Sequence, residues 1–274
     1  METAYIQLCR FLHNATIVDS RSYHKRFRKP PLGRVVKSFR HGKWISLLLE
    51  GDTLIRINFG MSGRLVFGNQ KLKHRKWAIL IESNKRRKAI EYVDPRGFGR
   101  LEVYRGTPAR HMAASKTLIE GSAFSGLGPD LLSNFMQTAS DSRRLAIWIK
   151  ALASSKPVKV VLMDQSRLAG LGNIYANELC SLTKINPNRP ANSLTRIELM
   201  RMVRMCPKLL NAAIAFGGTS FGDANTYRDV NGIEGRFAEK LSVYGRSRCD
   251  CGSKIKKYKL GGRSTFHCVK CQDN

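Results

Sequence analysis

The chain has 274 residues and a formal net charge of +28 at pH 7, with 48 Lys plus Arg against 20 Asp plus Glu. That length buries a sizeable core and suits two or three domains. The charge excess goes far beyond what solubility needs. It implies a polyanionic partner, nucleic acid first, with acidic lipid or ribosomal RNA as plainer alternatives. No run of about 18 apolar residues occurs, so no membrane span is expected. Met1-Glu2-Thr3-Ala4-Tyr5-Ile6 lacks the basic and apolar stretches of a signal peptide. Cys9, Cys180 and Cys206 are scattered singly, which with a metal-like quartet elsewhere suits a reducing, intracellular setting.

In chain order, Ala4 to Leu12 is short and helical in pattern. Short apolar or alternating segments follow: Trp44 to Glu50, Thr53 to Phe59, Arg64 to Phe67, Trp77 to Glu82, Ala89 to Val93 and Leu101 to Tyr104. Gly, Asn, Asp and Pro separate them, and the set reads as a β-sandwich or barrel. Pro108 to Ser125 changes to Ala, Ser, Gly and His and reads as a linker. Helical periodicity then takes over. Ser142 to Ala153 is one helix, and Leu171-Gly-Asn-Ile-Tyr-Ala-Asn-Glu-Leu opens another. Thr195 followed by Glu198 is a capping-box pair at the head of a long helix. Its expected apolar stripe is Ile197, Met200, Val203, Leu210 and Ile214, with a kink at Pro207 and an end at Gly217-Gly218. Phe216 to Arg236 reads as a long polar loop, and loops of that length are usually functional or mobile.

Near the end stand Cys249-Asp-Cys251 and Cys268-Val-Lys-Cys271. Two close thiol pairs at this separation suit one tetrahedral Zn²⁺, and four thiolates make the site structural because no position stays open for water. The one-residue gap in the first pair is tighter than usual, and a disulfide framework is the alternative. Gly-Arg263-Ser-Thr-Phe runs into the second pair, so the metal would fix a hairpin that carries Arg263. Gly170-Leu-Gly-Asn173 at a helix start can offer backbone N–H groups to a phosphate, or be a plain tight turn. Asp94-Pro-Arg96-Gly-Phe98-Gly-Arg can place a ring and a cation for insertion into a duplex, or tuck Phe98 into the core. Phe59-Gly-Met61-Ser-Gly can hold Met61 at a hairpin tip to fill the hole left by an extruded base, though a core Met is the commoner reading. Lys43 in His-Gly-Lys-Trp precedes an apolar strand. It either points into a cleft or is an ordinary strand-end lysine.

Taken together these motifs carry a resemblance. Gly-Lys43-Trp, Phe-Gly-Met-Ser-Gly, Asp-Pro-Arg-Gly-Phe-Gly and Leu127-Gly-Pro-Asp come first. Leu162-Met-Asp, Gly-Leu-Gly-Asn-Ile-Tyr-Ala-Asn-Glu, Gly217-Gly-Thr-Ser, Val243-Tyr-Gly-Arg and Gly-Arg-Ser-Thr-Phe-His-Cys-Val-Lys-Cys-Gln follow in order. The chain resembles the formamidopyrimidine-DNA glycosylase / endonuclease VIII family over nearly its whole length. The resemblance implies an α+β multidomain protein: an N-terminal β-sandwich at residues 1–112, a helix–two-turn–helix domain at 123–225, and a zinc-finger hairpin at 236–274. It implies damaged double-stranded DNA in the cleft between, bound by a monomer with one structural Zn²⁺ and no membrane partner. The family's activity would be excision of oxidised bases, purines such as 8-oxoguanine and formamidopyrimidines first, then strand cleavage by β,δ-elimination. Carried over, Lys43 and Arg263 match groups that contact backbone phosphates and assist elimination. Lys159 and Asn173 match phosphate contacts, and Met61, Arg96 and Phe98 match residues that fill the vacated helix space.

One departure is large. The family's mature chain begins Pro-Glu, the Pro being the nucleophile and the Glu the acid. Here Asn14-Ala-Thr-Ile17 aligns with the family's Gly-Ala-Thr-Ile, which puts Met1 about five residues inside that start, so Glu2 matches a later helix residue. The expectations are a glycosylase/lyase whose Pro-Glu lies upstream of Met1, or a damaged- or abasic-DNA binding protein of the same fold without lyase activity. A third has the Met1 α-amine as nucleophile.

Overall fold

The structure is a computed structural model that describes residues 1–12, 14–68, 72–84, 86–106, 124–222 and 227–273. It divides into two compact units, one of residues 1–125 with 216–238 and one of 126–215 with 239–274.

The first unit opens with α1 (Glu2–Leu12), whose Ala4, Leu8 and Leu12 recur at helical spacing and are buried. Eight strands follow: β1 (Thr16–Ser22), β2 (Gly33–His41), β3 (Trp44–Leu49), β4 (Thr53–Asn58), β5 (Arg64–Phe67), β6 (Arg75–Ser83), β7 (Arg86–Val93) and β8 (Arg100–Arg105). Their order is β5-β7-β6-β1-β2-β3-β4-β8. β1 and β2 share only the pairs Thr16↔Arg34 and Ile17↔Gly33. Register shifts flank this junction, between Ile17 and Asp19 and between Val35 and Lys37. Bulges of this kind bend a strand and raise its twist. The short junction therefore joins two four-stranded layers of a β-sandwich. Leu47, Leu49, Ile55 and Ile57 from one layer meet Trp77, Ile79, Ile81 and Ile90 from the other, with Leu8 and Leu12 at the same core. The same bulges explain why neither β1 nor β2 shows in the sequence, since one extra residue breaks the two-residue alternation. The expected linker at Pro108 to Ser125 lies almost wholly outside the described residues. Its end, Phe124, is buried beside Phe39 and under the guanidinium of Arg56.

The second unit holds α2 (Asn134–Thr138), α3 (Asp141–Leu152), α4 (Val158–Leu162), α5 (Asn173–Leu182) and α6 (Arg196–Ala215), then the hairpin β9 (Ile255–Leu260) and β10 (Arg263–Cys268). The capping box at the head of α6 is formed. Thr195 N donates to Glu198 at 2.8 Å, and Glu198 N donates to the Thr195 hydroxyl at 3.3 Å. The apolar stripe differs from the expected one: Ile197 is 75% exposed, and the buried face is Leu199, Met202, Val203, Cys206, Leu209, Leu210 and Ala213. Both stripes share Val203 and Leu210, and packing against α3 selects the second. Pro207 lies inside the helix, which continues to Ala215.

The finger packs on the helical domain as part of one unit. Gln272, fully buried, donates to Ile185 O at 2.9 Å and accepts from Cys268 N at 2.9 Å. The loop from Phe216 on packs with the sandwich instead. Gln7 of α1 donates to Asp229 at 2.6 Å, and Phe67 N donates to Val230 O at 2.7 Å.

Candidate nucleic-acid interface and metal centre

On the sandwich unit, two turns carry Met61, Arg96 and Phe98. Met61 is 53% and Phe98 54% exposed, which removes the core reading for both. Between the turns lies Asp94, fully buried. Its carboxylate accepts from Ser62 Oγ at 2.7 Å, Gly99 N at 2.7 Å and Tyr92 Oη at 3.3 Å. Ser62 Oγ in turn accepts from Arg96 N at 3.1 Å, and Arg26 donates to Gly97 O at 2.6 Å. The turns touch backbone to backbone. Gly60 has φ +61, and a Cβ there would lie 2.6 Å from Phe98 C. A Cβ on Gly99 would meet Tyr92 Oη at 1.6 Å. Burial first, and then the Asp94 charge, hold the Tyr92 phenol protonated far above its usual range. The result is two exposed apolar side chains on a braced, buried polar base. This arrangement suits wedging into a base stack, where a loose loop would lose affinity to ordering entropy.

Lys43 follows Gly42 in the two-residue turn between β2 and β3 and is half-buried, its carbonyl accepting from Asn58 Nδ2 at 2.8 Å. The Met1 α-amine lies beside it. Burial, then Arg40 and Lys43, hold that amine down to about 5, so in the chain as it stands it is neutral near pH 7. Glu2 pairs with Arg40.

On the second unit the hairpin turn presents Arg263, exposed at the head of β10. The carbonyl next to it, Ser264 O, accepts from Lys159 Nζ at 3.3 Å, Asn173 Nδ2 at 3.1 Å and Asn177 Nδ2 at 3.5 Å. Lys159 also donates to Thr265 Oγ1 at 3.2 Å, and Asn177 Oδ1 accepts from Phe266 N at 2.7 Å. Lys159 and Asn177 are fully buried. The structure thus sets the Lys159 ammonium on the finger rather than at the surface expected of a phosphate contact. It also gives the Asn173 amide to the same carbonyl. α5 begins at Asn173 with Gly172 as its N-cap and no side-chain cap bond, and a helix start of this kind directs backbone N–H groups outward. Asn177 was not singled out in the sequence. Neither was Glu178, which accepts from Ser242 N, Val243 N and Tyr244 N at 2.6, 3.0 and 2.8 Å and so ties the Val243-Tyr-Gly-Arg motif to α5.

Burial, opposed by Cys180 and aided by Arg263, lowers the Lys159 pKa to about 8 from an ordinary 10.5. The unfolded chain keeps this proton until the higher value. Between pH 8 and 10.5 the folded state has therefore already shed it, and stability rises with pH. One proton gives at most about 1.4 kcal/mol per pH unit. Lys159→Met is expected to flatten that rise, as urea melts across the window would read. An unchanged slope would refute the assignment.

The four cysteine sulfurs lie within 4.8 Å of one another, and Cys251 and Cys268 Sγ are 3.5 Å apart. All four are free thiols. Tetrahedral Zn–S bonds of about 2.3 Å put sulfurs slightly under 4 Å apart, so the set fits that ion with little movement. Hydrogen bonds from Ser253 hold the Cys251 thiol down to about 6, whereas hydrogen bonding with Cys251 and Cys268 pushes Cys271 up to about 12. A divalent cation binds such a set as thiolates and displaces the protons that remain. The tight Cys249–Cys251 gap is spanned by a turn in which Gly252 N donates to Cys249 O and Cys249 N donates to Ser253 O, each at 2.9 Å.

Exposed apolar side chains on braced turns of a β-sandwich, and an arginine-bearing hairpin with a four-cysteine cluster on a helical unit, suit a nucleic-acid-binding protein. Residues 1–101 match the formamidopyrimidine-DNA glycosylase N-terminal domain, and residues 127–225 match the formamidopyrimidine-DNA glycosylase H2TH domain. Formamidopyrimidine-DNA glycosylase of Zymomonas mobilis is 31% identical over 99% of this chain and 97% of its own. That of Desulfitobacterium hafniense is 35% identical over 85% of this chain and 80% of its own. The crystal structure of the MutM (Fpg) protein from Thermus thermophilus superposes with a TM-score of 0.81 at 28% identity, covering 100% of this chain and 97% of that one. The Lactococcus lactis Fpg in complex with abasic-site DNA has the same fold, at a TM-score of 0.80 and 23% identity, covering 100% of this chain and 98% of that one. The chain belongs to the formamidopyrimidine-DNA glycosylase / endonuclease VIII family of base-excision repair DNA glycosylases. No helix among the described residues is long and apolar enough to cross a membrane.

Proposed function

We propose that the protein excises oxidised bases from duplex DNA, purines such as 8-oxoguanine and formamidopyrimidines first, and then cleaves the strand by β,δ-elimination, acting as a monomer. The observation that carries this reading is the convergence of three side-chain donors on the carbonyl beside Arg263, which aims one guanidinium at a set position. Arg263 and the N-terminal amides of α5 take phosphate oxygens. Lys159, Asn173 and Asn177 position Arg263. Met61 and Phe98 fill the space of the extruded nucleotide, with Arg96 on the adjoining backbone. Lys43 assists elimination through its charge beside the N-terminal amine. Zn²⁺ at Cys249, Cys251, Cys268 and Cys271 supplies no chemistry when bound. It holds the hairpin.

The nucleophile divides two readings. An amine that attacks C1′ forms a Schiff base only when neutral, and the family's nucleophile is the N-terminal Pro of its Pro-Glu start. The second reading is a damaged- or abasic-DNA binding protein of the same fold without lyase activity; Glu2, paired with Arg40, matches a later helix residue and not the family's acid. Borohydride trapping on duplexes with 8-oxoguanine or an abasic site separates them. A covalent adduct supports the lyase. Tight binding with no adduct supports the binding protein. With activity in hand, Arg263→Ala is expected to slow strand cleavage about 100-fold, the scale for losing one aimed charge-stabilising donor, and to weaken binding far less. Equal losses in both would make the finger arginine a binding group only.

A further inference from the structure

The helical unit has a second polar surface that the wedge and Arg263 do not use. A cavity of about 480 Å³ opens where β9 and β10 face the loop after α5. Lys256, Lys257, Asn186 and Asn188 line it; Lys256 lies on the hairpin face of Tyr258 and His267, and Lys257, which points to the other face, has its Nζ 5.6 Å from the Phe266 ring centroid. Neither lysine forms an ion pair among the described residues, and Lys254, Lys259 and Lys270, on or next to the same hairpin, form none either. Asn188 N donates to Asn186 Oδ1 at 2.9 Å, so the acceptor of that carboxamide is used inside the loop and its NH₂ remains as a donor. His267 and Tyr258 also line the cavity. His267 is 5% exposed, and its Nδ1, like the Tyr258 hydroxyl, has no hydrogen-bond partner among the described residues. Asp273 is the single acid on the lining, 3.9 Å from His267 Nε2. The exposed Lys256 has no acidic ion-pair partner among the described residues.

Lysines without acidic partners, amide donors and room for a sugar–phosphate unit recognise a nucleic-acid backbone and read no base. We propose that this cavity binds the phosphate backbone of a second DNA segment while the first is held at Arg263, so that one protein bridges two duplexes. The proposal rests on the DNA-binding reading above. It also accounts for charge that a single lesion interface leaves unused.

The test is a bridging assay on the full, metal-loaded chain. A biotinylated duplex with an abasic site is immobilised and saturated with protein, and a fluorescent undamaged duplex is added at low salt. Capture of the second duplex is expected. Lys256→Gln combined with Lys257→Gln should reduce that capture at least tenfold, while affinity for the first duplex stays within twofold. The salt slope of the second step should fall by about 0.9 for each lysine removed. Asn188→Asp, which adds a carboxylate to the same cavity on an exposed residue, should act in the same direction. The proposal fails if wild-type protein holds the first duplex and captures no second, if the double variant captures both as before, or if it loses the first duplex in step with the second. A wild-type chain that holds neither duplex would instead overturn the DNA-binding function.

Discussion

Chelating the metal, or replacing Cys268 by Ser, is expected to unfold the finger and abolish capture of a lesion duplex. The finger's own core is Val243, Ile255 and Phe266, with Tyr244 and Cys249 partly buried against it. Three buried side chains cannot offset the ordering of a segment this long. A structural zinc site supplies about 10–16 kcal/mol in small fingers at neutral pH, enough to decide whether they fold. Hydrogen bonds to α5 and to Ile185 orient the folded hairpin, but they need its strands already formed. The measurement pairs metal content with duplex affinity. Loss of one metal equivalent should coincide with loss of binding, while the sandwich keeps its thermal transition. A metal-free chain that binds at full strength would show that the finger stands without an ion.

Asp94→Ala is expected to destabilise the sandwich by about 3–5 kcal/mol. The carboxylate is fully buried and accepts from Ser62, Gly99 and Tyr92. Its removal orphans the Ser62 and Gly99 donors and leaves the Tyr92 hydroxyl only its longer contacts to Phe59 O at 3.4 Å and Asn58 O at 3.5 Å, and each buried unsatisfied group costs about 1–3 kcal/mol. The two turns it ties together also separate, so affinity for a lesion duplex should fall along with stability. Met61→Ala and Phe98→Ala make the contrast. Both side chains are more than half exposed, so each variant should melt within about 0.5 kcal/mol of wild type yet lose affinity for duplexes that must be opened. Urea melts and lesion-duplex titrations of the three variants read both quantities. A stable Asp94→Ala protein with unchanged affinity would remove Asp94 from this role.

What was legible in the sequence was local. The Thr195–Glu198 capping box, the strands from Trp44 to Leu49 and Arg64 to Phe67, and the second cysteine pair are each written within a few residues. Features that failed to show were those in which a neighbour in space overrides local pattern. The bulges at Ile17/Asp19 and Val35/Lys37 hide β1 and β2, because alternation is read one residue at a time. The stripe of α6 was misread at Ile197, because two overlapping helical faces carry apolar residues and only the packed partner selects one.

The candidate site divides in the same way. Lys43, Met61, Arg96, Phe98, Asn173, Arg263 and the four cysteines stand in motifs with local chemical meaning, and turn or helix-start spacing is enough to nominate them. Their supports are not local. Asn177 reaches Phe266 across 89 positions, and Lys159 reaches Ser264 across 105.

The sequence by itself determined the charge, the metal-ligand set, the order of motifs and hence the family, because each depends on residue identity or on spacings of a few residues. The tertiary structure alone decided that Lys159 lies buried against the finger, that Asp94 braces the turns of Met61 and Phe98, and that the finger packs as one unit with the helices. The physical reason is that a side chain's role is set by what it is desolvated against and bonded to. For these residues the partners come from remote stretches of chain, brought together only when the core closes.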